Sequence, residues 1–304
     1  PSSPLRCLRE LARTGTTITY DDGMSASKAA KAAASAQVAI VFVQQWMAEG
    51  HDAATLSLPD GQDQLVTAVA AANPNTIVVL ETGGPVKMPW ANQVKSILET
   101  WYPGIGGGQA IANVLFGRIA PSGKLPVTFA ASEADLPHPK VPGLRSDNPS
   151  RNITVDYNIE GLTPGYRWFQ LKNKAPQFPF GFGLSYTHFL YSNLRVDHDA
   201  KSVSFDLRNA GDRQGDEISQ VYVTLPASAG EPFRKLAAWR RVRLASGERR
   251  HIEVSLNPLY LSIFSTEENA WHRVAGEYGI EVGSSSADLP LHASLPVASY
   301  GVQR

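Results

Sequence analysis

"VAIVFVQQW", residues 38–46, and "TIVVLETGGP", residues 76–85, decide the fold. In both stretches a continuous apolar run of strand length ends in polar residues, which is typical of strands buried on both faces of a parallel sheet. Between them, residues 60–75 ("DGQDQLVTAVAAANPN") place Leu65, Val66 and Val69 at helical spacing. This strand–helix–strand order predicts an α/β sandwich, a mostly parallel sheet with helices on both faces.

Neighbouring segments extend the α/β pattern over residues 1–130. Three further helices are predicted, in "PLRCLRELARTG" (4–15), in "SASKAAKAAASAQ" (25–37) and at the start of "GGGQAIANVLFGRIAPSGKLPVTF" (106–129). Short strands are predicted in "TTITYDDG" (16–23) and "KLPVTF" (124–129), and "VKSILETWYPG" (94–104) indicates a short helix or strand. The glycines of "GGGQA" resemble a phosphate cradle, but they lack the Gly-x-Gly-x-x-Gly context and a following Lys-Ser/Thr, so a structural role is preferred.

The pattern changes twice along the rest of the chain. Residues 131–190 are rich in Pro and aromatic residues, with glycines that break regular structure, and we interpret them as a linker and junction. Residues 191–304 contain evenly spaced runs that alternate apolar and polar residues at period two. These runs predict an antiparallel sandwich of the immunoglobulin or fibronectin type III kind.

Composition excludes several function classes. Among 304 residues the formal net charge is zero, so no charge excess indicates a nucleic acid or an anionic membrane as partner. Cys7 is the single cysteine, which rules out an internal disulfide and suggests a buried structural thiol. No apolar run approaches the roughly 20 residues of a membrane helix, and no Cys/His cluster has zinc spacing. Because the sequence starts at Pro1, we expect a processed or partial product.

Several phrases resemble one known family. "AEGHDAATLSLPDGQDQLVTAVAAANPNTIVVLETGGPVKMPW", "WYPGIGGGQAIANVLFGRIAPSGKLPVTF" and "FPFGFGLSYTHFLYSNL" resemble the carboxyl-terminal α/β sandwich domain of family 3 glycoside hydrolases. "NAGDRQGDEISQVYV", "RKLAAWRRVRLASGE" and "GEYGIEVGSSS" resemble the fibronectin type III-like module that follows it in many members. The resemblance covers nearly the whole chain, in order.

The resemblance implies an enzyme of which this chain is the second part. Family 3 enzymes carry a β/α barrel ahead of this region, and the barrel supplies the nucleophilic aspartate. The implied activity is retaining hydrolysis of terminal non-reducing β-D-glycosidic bonds in a β-glucoside or oligosaccharide, of the β-glucosidase type, with no turnover expected from this chain alone. Two alternatives remain open: β-xylosidase or another family 3 specificity, and a non-catalytic carbohydrate-binding or structural fragment.

The family assigns a role to Glu49. Members with an E-G-x-D-R-like loop after a strand use that Glu as general acid/base, and here the loop contains Glu49, Gly50 and Asp52, with Ala53 in place of the Arg. A retaining glycosidase needs two carboxyl groups roughly 5–5.5 Å apart, one a nucleophile and one an acid that becomes a base. Gly50 would give the loop backbone freedom to bring the acid to the glycosidic oxygen.

Four neighbours of Glu49 are candidate substrate-binding residues: Trp46, Met47, His51 and Asp52. An aromatic wall suits the apolar face of a sugar, although a core position for Trp46 is equally compatible with the sequence. Likewise, His51 is compatible with a plain loop residue and Asp52 with a turn. The resemblance implies no metal and no cofactor, and family habit suggests a periplasmic or secreted enzyme, with the cytoplasm as alternative.

Overall fold

The computed structural model describes residues 2–50, 53–144, 153–197 and 201–302. The chain folds as two compact units. The first comprises Pro1–Ile119 and Phe129–Asp156, and the second comprises Ala120–Thr128 and Tyr157–Arg304. Within the described residues, no helix combines the length and apolar character needed to cross a membrane.

A three-stranded parallel sheet forms the centre of the first unit. Its strands are β1 (Ala39–Gln44), β2 (Thr76–Glu81) and β3 (Ser96–Glu99), in the order β1-β2-β3. Both pairings are parallel, with Val41 opposite Val78 and Val79 opposite Leu98. Among the described residues of this unit, the α-helices are α1 (Pro4–Leu11), α2 (Ala26–Ala34), α3 (Gln62–Ala72) and α4 (Gly107–Leu115). The predicted α/β sandwich is confirmed.

The helices pack in two pairs on the sheet. Cys7 and Leu8 of α1 are buried with Ala112 of α4, and Ile40 and Phe42 of β1 pack against them. Side chains alternate along a strand, so the neighbouring valines of β1 face the opposite side, where α3 lies against β1 and β2 and also packs on α2. Cys7 is thus a buried free thiol, as predicted.

The glycines of "GGGQA" have a packing role in this unit. A Cβ at Gly108 would lie 2.3 Å from the carbonyl oxygen of Ser2 and 2.8 Å from the nitrogen of Pro4. Both are backbone atoms, so α4 can approach the start of α1 only because residue 108 has no side chain. This close approach accounts for the glycine without a phosphate ligand.

Two strand predictions were wrong. Residues 16–22 adopt no regular structure, and residues 124–128 form no strand. Around Leu125 the backbone pairs only locally, because Leu125 N–H donates to Phe182 O and Gly181 N–H donates to Leu125 O. No strand is formed by the residues that follow, from Pro126 to Thr128. The open choice for residues 94–104 resolves as a strand, β3.

Antiparallel sheets make up most of the second unit, which confirms the all-β prediction. A four-stranded sheet has the order β12-β11-β6-β7, and two three-stranded sheets have the orders β4-β5-β8 and β13-β10-β9. The strands are β4 (Phe189–Val196), β5 (Ser202–Asn209), β6 (Gly215–Thr224), β7 (Arg234–Leu244), β8 (Arg249–Ser255), β9 (Ile263–Ser265), β10 (Ala270–Arg273), β11 (Gly276–Gly283), β12 (Leu291–Val297) and β13 (Tyr300–Val302). A short helix, α5 (Tyr166–Leu171), precedes them.

One core joins the four-stranded sheet to the β4-β5-β8 sheet. Alternate residues of β5 and of β6 point inward, including Phe205, Leu207, Val221 and Val223, and all four are fully buried. Tyr278 of β11 belongs to the same core, and its hydroxyl donates to the carbonyl oxygen of Val274 or Leu261. The period-two alternation that predicted the strands is therefore the alternation of core and surface.

A buried ion pair ties the segment 120–128 to the sandwich. Lys124 Nζ lies 2.9 Å from Glu217 Oε1, and the two side chains are only 10% and 8% exposed. Lys124 Nζ also donates to the carbonyl oxygen of Gly183 at 3.1 Å. Such a pair offsets its own desolvation only while both partners are present.

Replacing one partner should therefore destabilise the second unit strongly. We expect Lys124→Met to lower its unfolding free energy by about 3–5 kcal/mol, because Glu217 would remain as an unpaired buried charge. The double variant Lys124→Met/Glu217→Leu should recover most of the loss. Denaturant unfolding followed by tryptophan fluorescence measures both, and a single variant as stable as the parent would contradict the prediction.

Candidate functional site

The carboxyl ends of the three parallel strands meet at one edge of the sheet. β1 ends at Gln44, β2 at Glu81 and β3 at Glu99, and Gln44 lies directly opposite Glu81. Polar or aromatic residues follow each strand, beginning with Gln45, Thr82 and Thr100. Ligands of open α/β sheets bind at such an edge, so this is the candidate site.

The segment that follows β1 is held firmly at its start. Gln45 N–H donates to Glu81 O at 3.1 Å, and the Tyr102 hydroxyl donates to Gln45 O at 2.6 Å. Met47 packs against Gly83, where an added Cβ would lie 3.0 Å from Met47 Cβ and 2.8 Å from the Tyr102 hydroxyl. The turn after β2 therefore needs a glycine so that the chain after β1 can cross it.

The side chain of Gln62 joins the two ends of this segment. Gln62, at the start of α3, accepts from Gln44 N–H at 2.7 Å through Oε1 and donates to Gln44 O at 2.8 Å through Nε2. This reciprocal pair joins the end of β1 to the beginning of α3. The segment between β1 and α3, described over residues 45–50 and 53–61, therefore has its two ends fixed side by side.

Glu49 and its neighbours lie on this loop. Glu49 is exposed, as is Trp46 at 73%, while Met47 is half-buried. The exposure of Trp46 rules out the alternative of a core tryptophan. Gly50 has a φ of +77°, a backbone conformation that favours glycine and turns the chain directly after Glu49.

Trp46, Met47 and Glu49 lie on the short stretch that follows β1, and their roles stay predictions. His51 and Asp52, the other two candidate ligands, lie outside the described residues. Gln45 was not predicted: it is buried, and its Oε1 has no hydrogen-bond partner among the described residues. Within the same residues, no group of three or more His, Cys, Asp or Glu side chains is arranged to hold a metal ion.

Glu99 is a second carboxyl that sequence analysis missed. It ends β3, and Trp101 N–H donates to its Oε1 at 2.8 Å. The Thr82 hydroxyl lies 3.2 Å from Glu99 Oε2 but 2.8 Å from Gly84 O. One hydroxyl proton cannot serve both acceptors, and the shorter distance assigns it to Gly84. A protonated Glu99 can then donate from Oε2 to the Thr82 oxygen.

Burial supports this protonated form. It raises the pKa of Glu99 to about 7, outweighing the hydrogen bonds from the backbone N–H groups of Trp101, Thr100 and Thr82. Burial also raises the pKa of Glu81, the carboxyl that ends β2. A sequence signal existed for both residues, since each is a lone Glu that ends an apolar run, "TIVVLE" and "SILE".

Glu99 should make stability depend on pH. Its pKa rises from 4.5 to about 7 on folding, so between these values the folded chain binds more protons than the unfolded chain. The unfolding free energy should then fall as pH increases from about 4.5 to 7, by on the order of 2–3 kcal/mol, and stay lower above pH 7. Glu99→Gln preserves the neutral hydrogen-bonding pattern and should abolish this decrease.

Denaturant unfolding at pH 5 and pH 8 tests that expectation. At pH 8 the Glu99→Gln variant should be more stable than the parent, and at pH 5 the two should be similar. Glu10→Gln is the matched control, because Glu10 is an exposed residue of α1. Identical pH profiles for the parent and Glu99→Gln would show that Glu99 ionises in the fold as it does in water.

Two families match this chain. Residues 2–186 match the glycosyl hydrolase family 3 C-terminal domain, and residues 217–286 match the fibronectin type III-like domain. The chain is 38% identical over 283 residues to the thermostable β-glucosidase B of Acetivibrio thermocellus, covering 90% of this chain and 37% of that protein. It is 37% identical over 278 residues to β-glucosidase B of Emericella nidulans, covering 86% of this chain and 33% of that protein.

Solved structures agree with these sequence matches. DesR, a β-glucosidase from Streptomyces venezuelae crystallised with D-glucose, aligns with a TM-score of 0.81 at 38% identity, over 90% of this chain and 35% of that chain. The β-D-glucoside glucohydrolase of Trichoderma reesei aligns with a TM-score of 0.88 at 31% identity, over 98% of this chain and 45% of that chain. This chain spans less than half the length of each of these relatives. Because the C-terminal domain match extends over residues 2–186 of 304, the chain belongs to glycosyl hydrolase family 3.

Proposed function

We propose that this chain supplies the general acid/base, Glu49, to a retaining β-glucosidase whose nucleophile lies on a β/α barrel domain. The observation that carries the proposal is the position of Glu49. It is exposed on a loop just beyond the carboxyl end of β1, and both ends of that loop are fixed. A carboxyl in such a position is available to a substrate bound on another surface.

The proposed reaction divides the chemistry between two surfaces. An aspartate of the barrel would attack the anomeric carbon while Glu49 protonates the glycosidic oxygen, so that the aglycone leaves as an alcohol. Glu49, now a carboxylate, would then remove a proton from the water that hydrolyses the glycosyl-enzyme. Two carboxyl groups are sufficient for this sequence, and no metal or organic cofactor takes part.

The neighbours of Glu49 fit the aglycone side of such a site. Trp46 presents an exposed ring beside the loop, which suits stacking on the apolar face of a sugar. We propose Met47, His51 and Asp52 as further contacts to substrate. Ala53 stands where the related loops have an Arg, so the charged groups that influence the protonation of Glu49 must lie elsewhere.

β-Glucosides are the preferred substrate class because the relatives named above are β-glucosidases or a β-D-glucoside glucohydrolase. The glycone pocket of the family lies mainly on the barrel, so β-xylosides remain the alternative substrate. Residence in the periplasm or outside the cell stays a prediction from family habit.

Replacing Glu49 tests the assignment in an enzyme that joins this chain to a family 3 barrel domain. We expect Glu49→Gln to lower kcat/KM for alkyl β-glucosides by about 10²–10⁴-fold, because alkoxide leaving groups need a proton donor. Activated aryl glucosides should lose far less in the glycosylation step. Equal losses on both substrates would contradict the role of Glu49 as acid.

Azide provides an independent test of the base role and of the retaining mechanism. An anionic nucleophile needs no general base, so azide should restore turnover of activated aryl glucosides by Glu49→Gln. The product should be the β-glucosyl azide, since two displacements retain the configuration. An α-glucosyl azide would show a single displacement, as given by an inverting enzyme or by a retaining enzyme that has lost its nucleophile, and would contradict the acid/base role of Glu49. Glu10→Gln, an exposed substitution on α1, controls for general effects of the charge change.

A further inference from the structure

We propose that Glu133 is a positioning residue for the acid/base, because its carboxylate fastens the far side of the loop that carries Glu49. Four residues form this contact, which we call the clasp: Thr55, Leu56, Lys87 and Glu133. The catalytic consequence rests on the function proposed above for Glu49. The clasp itself is a property of this chain and can be tested without any activity.

One carboxylate gathers three donors from two separate segments. Glu133 Oε1 accepts from Thr55 Oγ1 at 2.8 Å, from Leu56 N–H at 3.1 Å and from Lys87 Nζ at 3.1 Å. Its Oε2 lies 3.1 Å from the same ammonium group. Hydrogen bonds to an ionised acceptor are roughly twice as strong as neutral ones, so the clasp is a strong attachment for a surface loop.

Backbone contacts complete the attachment. Lys87 N–H donates to Leu56 O at 2.9 Å, and Ser57 N–H donates to Thr55 Oγ1 at 3.1 Å. Leu58, two residues further along, is buried at 5% exposure. At Thr55–Leu58 the loop therefore returns toward the interior and is bonded to the segment that follows β2.

Glu133 is itself held in a defined place. It begins a short 3₁₀ turn, Glu133–Asp135, whose first N–H groups are capped by Ser132, with Ala134 N–H donating to Ser132 Oγ at 3.2 Å. The Glu133 side chain is 27% exposed and that of Lys87 is 30% exposed, so solvent only partly screens the pair. A fixed carboxylate can fix the loop.

The position of Glu49 explains why the clasp matters. The loop is anchored before Glu49 by Gln45 and Met47, and after it by Thr55 and Leu56. With either anchor removed, Glu49 would sample many more positions. A proton donor must lie within hydrogen-bond reach of the oxygen it protonates, so a displacement of about 1 Å can cost about 100-fold in rate.

The negative charge of Glu133 is retained down to low pH, so the clasp stays formed above about pH 4.5. Burial acts to raise the pKa of Glu133, but the hydrogen bonds from Thr55, Lys87 and Leu56 outweigh it and lower the pKa to about 2. Because the folded value lies below the ordinary 4.5, the stabilisation is present above pH 4.5 and is lost as pH falls toward 2. Substitution, rather than mild acid, is therefore the way to open it.

Hydrogen exchange on the 304-residue chain tests the clasp directly. In Glu133→Gln, exchange of the amides of residues 53–58 should accelerate by at least about tenfold, because Leu56 N–H loses an ionised acceptor. Amides of β2 should exchange as in the parent, which shows that the fold is intact. Lys87→Met should act in the same direction, Lys87→Arg should keep most of the protection, and the control Glu10→Gln should change nothing. Unchanged exchange in residues 53–58 of Glu133→Gln would overturn the clasp.

A double-mutant cycle in the barrel-containing enzyme tests the link to catalysis. With Glu49 present, Glu133→Gln should lower kcat for alkyl β-glucosides by about 10- to 100-fold and affect activated aryl glucosides much less. In a Glu49→Gln background the same substitution should have little further effect, because no proton donor remains to be positioned. Equal losses in both backgrounds would overturn the positioning role while leaving the acid/base assignment intact. If Glu49→Gln fails its own leaving-group test, the proposed function fails instead, and the exchange result still judges the clasp.

Discussion

The parallel pairing of β1 with β2 is the constraint on which the rest of the first unit depends. It places Gln44 beside Glu81, and with β3 it brings three strand ends to one edge. The contacts that fix the Glu49 loop start from this edge: Gln45 bonds to Glu81, and Tyr102 bonds to Gln45. A register shift of one residue would turn the buried valines of β1 to the opposite face of the sheet and separate these partners.

The carboxyl groups near this edge differ because their surroundings differ. Glu99 is buried beside hydrogen-bonding groups, and its burial raises its pKa to about 7. Glu133 meets an ammonium group, a hydroxyl and a backbone N–H, and its pKa falls to about 2. Glu99 is thus suited to a neutral structural hydrogen bond and Glu133 to a permanent ionic attachment. Glu49 is exposed, which leaves it accessible to a partner surface.

Sequence reasoning predicted what depends on local periodicity and missed what depends on distant partners. The apolar runs at 38–43 and 76–80 predicted β1 and β2, and the alternation after residue 191 predicted the antiparallel sheets. The strand expected in residues 124–129 was wrong, because backbone pairing at Leu125 is limited to its hydrogen bonds with Phe182 and Gly181. The partners of Glu133 lie far from it in sequence, at Thr55 and Lys87, and no spacing rule connects them. The position of the candidate site can thus be predicted from a motif at the end of a strand. The contacts that hold its loop in place can be found only from the folded structure.

The proposed division of labour has a physical rationale. A general acid must be protonated when substrate binds, and burial or a nearby carboxylate favours the protonated form. Glu49 is exposed in this chain, so the surface carrying the nucleophile would have to provide both conditions when it covers the loop. Because Gln45 and Thr55 are already held in place on either side of Glu49, these two positions need not be ordered at that moment. Because the loop is already ordered, the free energy of binding can be used to desolvate the acid and need not be used to order its loop.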